Sequence, residues 1–97
     1  MTKIDKLRQT LAKHKNELRR EYNVKIIGLF GSYIRGEQKK KSDLDVLVDF
    51  SKPIGLLKFG TLEEHLSGLT GVKVDLVMKS AIKPGIGRYI LREVVYL

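Results

Sequence analysis

Residues 31–50, GSYIRGEQKKKSDLDVLVDF, end in a stretch where apolar and acidic residues alternate. From Asp43 to Phe50, one set of alternating positions is apolar throughout, and Asp43 and Asp45 belong to the other set. Successive side chains of a β-strand point to opposite faces, so this pattern predicts a strand with one face against a core. The two carboxylates then share the other face, with their backbones about 6 to 7 Å apart.

A second apolar segment, Val72 to Met78, carries one further carboxylate at Asp75. An isolated Asp-x-Asp pair is more often a turn cap or a solvent-facing feature, but strand interiors disfavour Asp, and a buried carboxylate needs a cation or a partner. Hard cations such as Mg²⁺ take oxygen ligands, and two-metal phosphoryl transfer needs ions about 3.5 to 4 Å apart. We therefore expect Asp43, Asp45 and Asp75 to hold magnesium together.

Gly31 and Ser32 lie where an apolar run, Val24 to Phe30, gives way to a short segment that favours one or two helical turns. Glycine lets a phosphate approach the backbone, and the Ser32 hydroxyl and the N–H groups of a helix start can donate to it. Arg35, one turn later, could bind phosphate through two hydrogen bonds. A phosphate-binding turn is predicted, although an ordinary turn with a helix cap is the alternative.

Three longer helices complete the pattern. Apolar spacing predicts one from Thr2 to Tyr22 with a capping box at Thr2 and Asp5, a second that includes Leu56 and closes near Gly71, and a third over residues 86–95. Helices therefore alternate with strands, which predicts an α/β fold with helices on one or both faces of a small sheet. The 97 residues are expected to form one domain, 1–97.

The composition limits the chemistry. No cysteine is present, so neither a disulfide nor a thiolate metal site can form. No apolar run is long enough to cross a bilayer, and a cytoplasmic protein without membrane contact is expected. The net charge of +8 comes entirely from residues 1–41, which hold 12 Lys+Arg against 4 Asp+Glu. That half could attract polyanions, but a solvated lysine-rich helix face explains it as well.

The order Gly31-Ser32, Asp43-x-Asp45 and a distal Asp75 resembles the signature of the polymerase-beta-like nucleotidyltransferase superfamily. The pairs Arg35-Gly36 and Ser42-Asp43 and the ending KPGIGRYILREVVYL resemble the minimal nucleotidyltransferase (MNT) family in particular. The resemblance covers nearly the whole chain. It implies a small mixed β-sheet with flanking helices, similar to the polymerase-beta palm.

The resemblance also implies roles. Gly31 and Ser32 would bind phosphate, Asp43 and Asp45 would bind metal, and Asp75 would bind metal or act as a general base. The cofactor would be Mg²⁺, as two ions, and the substrate a nucleoside triphosphate, ATP. Each of the five positions matches the family pattern.

MNT proteins are commonly paired with HEPN-domain RNase toxins, and family members are implicated in transferring AMP to a tyrosine of the toxin. The resemblance therefore implies a protein adenylyltransferase antitoxin. We expect these 97 residues to leave no room for a further domain that grips an acceptor, so the partner would supply the acceptor. Direct binding of nucleic acid is not expected. Two alternatives remain: an antitoxin that acts by binding alone, and a small-molecule adenylyltransferase.

Overall fold

The structure is a computed structural model that describes all 97 residues. Helices and strands alternate along the chain as predicted, with one break and one extra strand. In order they are α1 (Lys3–Lys13), α2 (Lys15–Tyr22), β1 (Val24–Phe30), α3 (Ser32–Arg35), β2 (Leu44–Phe50), α4 (Leu56–Thr70), β3 (Val74–Met78), a 3₁₀ turn (Lys79–Ala81), α5 (Pro84–Glu93) and β4 (Val95–Tyr96).

The four strands form one mixed sheet in the order β3-β2-β1-β4. Strand β2 runs parallel to β3, and β1 runs antiparallel to both β2 and β4. The connection between the parallel strands is the long helix α4, as parallel pairing requires. The predicted α/β class with a small mixed sheet is therefore confirmed.

The core lies between one face of this sheet and helices α1, α2 and α4. The apolar positions of β2 point into it, and Leu47, on the other face, is buried outside it. Leu56 was predicted to lie on the apolar face of α4, but it is 87% exposed because it precedes the part of the helix that reaches the core. The central contacts come from Leu7, Leu11, Leu18, Leu44, Val46, Val48, Leu62 and Leu66.

The opening helix is divided at His14, where a single helix was predicted. The capping box at Thr2 and Asp5 forms as expected. At His14 the ring Nδ1 lies 2.7 Å from the Thr10 carbonyl oxygen, while the His14 N–H bonds to the Leu11 carbonyl oxygen. The side chain thus competes for the carbonyl that a continuous helix would use, and α2 starts anew at Lys15.

The C-terminal segment also differs from the prediction, because α5 ends at Glu93 and Val95 begins a short strand. Val95 pairs with Leu29, and Tyr96 pairs with Gly28. A side chain at position 28 would obstruct this strand, since an added Cβ would lie 2.6 Å from Val94 Cγ2. The predicted helix over 86–95 is therefore wrong at its end, where β-branched residues join the sheet instead.

Strand β3 forms an edge of the sheet, and side chains from α4 cover that edge. The Val74 N–H donates to Ser67 Oγ at 2.9 Å, and the Leu76 N–H donates to Glu63 Oε2 at 2.8 Å. In a parallel ladder these alternate N–H groups point away from β2, so without such partners they would bond only to water. The two bonds fix the backbone on either side of Asp75.

We expect the substitution Glu63→Ala to lower the free energy of unfolding by about 1.5 to 3 kcal/mol, the range for a hydrogen bond to a charged group. Urea unfolding followed by circular dichroism measures the change. Glu64→Ala, at an exposed position that makes no side-chain hydrogen bond, is the matched control and should change stability little. Equal stabilities for the two variants would contradict this account of the β3 edge.

No helix of the structure combines the length and the apolar character needed to cross a membrane.

Candidate active site

The sheet brings the predicted carboxylates together at one end. Asp45 on β2 is the direct register partner of Asp75 on β3, so their backbones are about 4.8 Å apart. Asp43 lies immediately before β2, on the same face as Asp45 by the alternation of the strand. On its other side Asp45 is paired with Phe30, the last residue of β1.

The three carboxylates differ in exposure. Asp43 and Asp45 are partly buried, whereas Asp75 is exposed to solvent. The expectation that Asp75 is a buried carboxylate is therefore wrong, because β3 is the edge strand and the face that carries Asp75 lies opposite the helical core. Its position beside Asp45 nevertheless agrees with the expected grouping.

The electrostatics of the site centre on Asp45. Burial, the Asp75 carboxylate and the Asp43 carboxylate together raise the pKa of Asp45 to about 6, with Arg35 opposing them. Like charges that face each other across a site favour protonation of one of them or the arrival of a cation. The chain therefore holds Asp45 in surroundings that suit a bound positive charge.

None of the three carboxylates accepts a side-chain hydrogen bond or forms an ion pair within the chain, unlike Glu63 and Glu93. No three acidic or histidine side chains converge closely enough to hold a metal ion by themselves. Magnesium is commonly held by one or two carboxylates, with water and substrate phosphates as its other ligands. The residues fit a magnesium site completed by a bound triphosphate, and the predicted three-carboxylate cage stays a prediction.

The turn at Gly31 packs directly against this group. Gly31 has φ +83° and ψ −158°, a backbone conformation found essentially only in glycine. A Cβ at this position would collide with the Asp45 carboxylate. Only glycine therefore allows the end of β1 to pass so close to Asp45.

Ser32 and Arg35 begin and end the single-turn helix α3. Ser32 is partly buried, and its hydroxyl makes no hydrogen bond within the chain, so it is available to a ligand. Arg35 is held by two acidic side chains: its Nη1 donates to Glu93 Oε1 at 2.7 Å, and its Nε lies 3.3 Å from Glu37 Oε1. That Gly31, Ser32 and Arg35 bind the nucleotide stays a prediction.

Glu93 is a residue of this site that the sequence did not reveal. Its Oε2 accepts the Gly31 N–H at 2.8 Å while its Oε1 accepts from Arg35. Although burial acts in the opposite direction, these two hydrogen bonds hold the pKa of Glu93 below its ordinary value. Its partners lie 62 and 58 residues earlier in the chain, so no local spacing indicates the contact.

The carboxylates do not line either of two surface clefts of roughly 590 and 670 Å³. One of these clefts is lined by α1 and the C-terminal residues, and the other by α2 and α4. Neither cleft includes a predicted site residue.

Comparison with known proteins identifies the family of the chain. The sequence model for the nucleotidyltransferase domain matches residues 11–97, so the chain belongs to the nucleotidyltransferase family. It is 53% identical over 97 residues to the protein adenylyltransferase MntA of Thermococcus cleftensis. The match covers 100% of this chain and 98% of that protein. The predicted enzyme class, a nucleotidyltransferase, is confirmed.

Solved structures indicate which kind of nucleotidyltransferase the chain resembles. A protein proposed to be a minimal nucleotidyltransferase matches with a TM-score of 0.75 and 34% identity, over 94% of this chain and 95% of that one. The complex of a tri-AMPylated HEPN toxin with an MNT antitoxin from Shewanella oneidensis contains a chain with the same fold, with a TM-score of 0.67 and 20% identity, over 93% and 70% of the two chains. The predicted resemblance to minimal nucleotidyltransferases is confirmed.

Proposed function

We propose that this chain is a magnesium-dependent protein adenylyltransferase that moves AMP from ATP to a tyrosine of a HEPN-domain toxin and so neutralises it. The observation that carries the proposal is the pairing of Asp45 with Asp75 beside the Gly31 turn, with Asp43 next to them. These carboxylates have no partner within the chain and repel one another, as expected of a site built for cations.

In the proposed reaction the chain orients the triphosphate and activates the acceptor. The Ser32 hydroxyl and the start of α3 would hold the phosphates, and Asp43 and Asp45 would hold two magnesium ions. The bound ions would supply charge neutralisation for the triphosphate and the leaving pyrophosphate. Asp75, the most exposed carboxylate, would face the incoming hydroxyl. It would either accept the proton of that hydroxyl as a general base or bind a metal ion beside it.

The acceptor would come from a second protein. Asp75, the carboxylate proposed to face the acceptor, is exposed to solvent, so this chain offers the acceptor little enclosure on that side. The Thermococcus cleftensis relative is a protein adenylyltransferase, and the Shewanella oneidensis complex joins an MNT antitoxin to a HEPN toxin that carries AMP. The first supports a protein acceptor, and the second supports an acceptor of the HEPN class. Because ATP and the RNase toxin would be its substrates, we assign the reaction to the cytoplasm.

The test is the intact mass of the HEPN-domain protein encoded beside this chain, after incubation with the chain, ATP and Mg²⁺. We expect mass increments of one or more AMP groups, which peptide mapping should locate on tyrosine. Asp43→Asn and Asp75→Asn should remove the increments. Asp49→Asn is the matched control, because Asp49 lies on the same face of β2 but about 13 Å from Asp45 along the strand.

The outcomes separate the alternatives. Loss of RNase activity together with AMP addition, both absent in the Asp43 and Asp75 variants, supports the enzyme. Equal neutralisation by wild type and variants without any mass increment would show an antitoxin that acts by binding alone. Transfer of AMP to small hydroxyl compounds but not to the HEPN protein would show a small-molecule adenylyltransferase.

A further inference from the structure

One carboxylate of the C-terminal helix bridges two parts of the proposed phosphate site. Glu93 accepts the Gly31 N–H at 2.8 Å with one oxygen and the Arg35 guanidinium at 2.7 Å with the other. Its side chain is 22% exposed, whereas that of Arg35 is 47% exposed. The bridge therefore joins a backbone group and a side chain that lie at opposite ends of α3.

The position of Glu93 is fixed by the elements on either side of it. It is the last residue of α5, and the Val94 N–H that follows still bonds to the Ile90 carbonyl oxygen. Two residues later, Val95 pairs with Leu29 near the end of β1. The short strand β4 thus ties the end of α5 to the same part of β1 from which the Gly31 turn departs.

We infer that Glu93 is a positioning residue for nucleotide binding, which holds the Gly31 turn and Arg35 in the arrangement that receives the triphosphate. This inference rests on the proposed function of that turn. Glycine reaches the backbone conformation of Gly31 without steric cost but has many other conformations open to it, and a hydrogen bond to its N–H favours this one. The same carboxylate accepts from Nη1 of Arg35, and the Nη2 group of Arg35 makes no hydrogen bond within the chain, so it can donate to a phosphate.

A carboxylate in this place has two possible effects on an anionic nucleotide, and they differ in sign. If Glu93 mainly positions the turn, its loss weakens ATP binding, because the Gly31 turn and Arg35 are no longer held where they would receive the phosphates. If it mainly competes with phosphate for Arg35 and the Gly31 N–H, its loss strengthens ATP binding. The positioning role requires that loss of Glu93 weaken ATP binding.

The experiment compares Glu93→Ala and Glu93→Gln with wild type, using calorimetric titration of ATP in Mg²⁺ together with KM and kcat for AMP transfer to the HEPN partner. Glutamine can still accept the Gly31 N–H but no longer neutralises Arg35. We expect ATP affinity to fall roughly 10- to 100-fold in Glu93→Ala and less in Glu93→Gln, with KM for ATP rising in the same order. Thermal unfolding of each variant confirms that the protein is folded during the measurement.

Glu37→Gln is the matched control, because Glu37 also pairs with Arg35 but does not contact the Gly31 turn. It should bind ATP within about twofold of wild type, as expected for an exposed ion pair. Unchanged or tighter ATP binding by both Glu93 variants, with wild type active, would overturn this inference alone. A wild-type protein that neither binds ATP nor transfers AMP would overturn the proposed function and this inference with it.

Discussion

The substitution Asp45→Asn is expected to reduce AMP transfer by roughly 1,000-fold or more. Metal ions contribute several kcal/mol of charge stabilisation in the transition state, and each 1.36 kcal/mol corresponds to a tenfold change in rate. Asp45 pairs with Asp75 and packs against the Gly31 turn, so its loss removes the carboxylate at the centre of the proposed site. Initial rates of AMP incorporation into the HEPN partner, at saturating ATP and Mg²⁺, measure the loss.

The same substitution should stabilise the metal-free protein at neutral pH. Burial and its acidic neighbours raise the pKa of Asp45 to about 6 from its ordinary value of 3.8, so the folded state binds the proton more tightly than the unfolded state. Stability contributed by this group therefore falls as pH rises between about 4 and 6. The full difference corresponds to roughly 3 kcal/mol, and we expect about 1 to 2 kcal/mol because solvent reaches the site.

Thermal unfolding in EDTA at pH 7 and at pH 4.5 tests this part of the prediction. Asp45→Asn should unfold at a higher temperature than wild type at pH 7, and the difference should shrink at pH 4.5. A variant that keeps more than a tenth of wild-type transfer, or that is less stable than wild type at pH 7, would contradict the assigned role of Asp45.

The substitution Gly31→Ala is expected to damage both stability and transfer. The backbone conformation of Gly31 costs other residues about 1 to 3 kcal/mol, and the new methyl group would displace the Asp45 carboxylate. Since the displaced group is a proposed metal ligand, transfer should fall roughly 100-fold or more, beyond the effect of any unfolded fraction. Chemical unfolding and single-turnover transfer rates separate the two effects.

Gly71→Ala provides the control for backbone strain. Gly71 ends α4 with φ +74°, and a Cβ there would meet no atom within 4 Å. This variant should lose about 1 kcal/mol of stability but keep its transfer rate when it is folded. If Gly71→Ala and Gly31→Ala lowered transfer equally, close packing of the Gly31 turn on Asp45 would not be the cause.

The local parts of the fold and the site were predictable from the sequence. Alternation in β2 predicted which side chains enter the core, and it put Asp43 and Asp45 on the opposite face, because the strand period depends only on backbone geometry. The turn at Gly31 was predictable as well, since glycine followed by serine at a strand end indicates both a special backbone and a helix start.

Features that depend on distant contacts were not predictable. The C-terminal strand forms because Val95 meets Leu29, and the apolar, β-branched residues at the end of the chain suit a helix or a strand equally well. Glu93 enters the site only through this pairing. Asp75 was grouped with Asp45 correctly, but its exposure follows from the strand order, which alternation does not determine.

The central claim, that the chain moves a nucleotidyl group, is tested most directly by the position of a radioactive label in ATP. Wild-type protein is incubated with Mg²⁺, the HEPN partner and ATP labelled at either the α- or the γ-phosphate. The account predicts that label from the α-phosphate enters the partner and that label from the γ-phosphate leaves as pyrophosphate. With Asp45→Asn, neither labelled partner nor labelled pyrophosphate should form. Label from the γ-phosphate in the partner, or no protein label from either ATP, would contradict it.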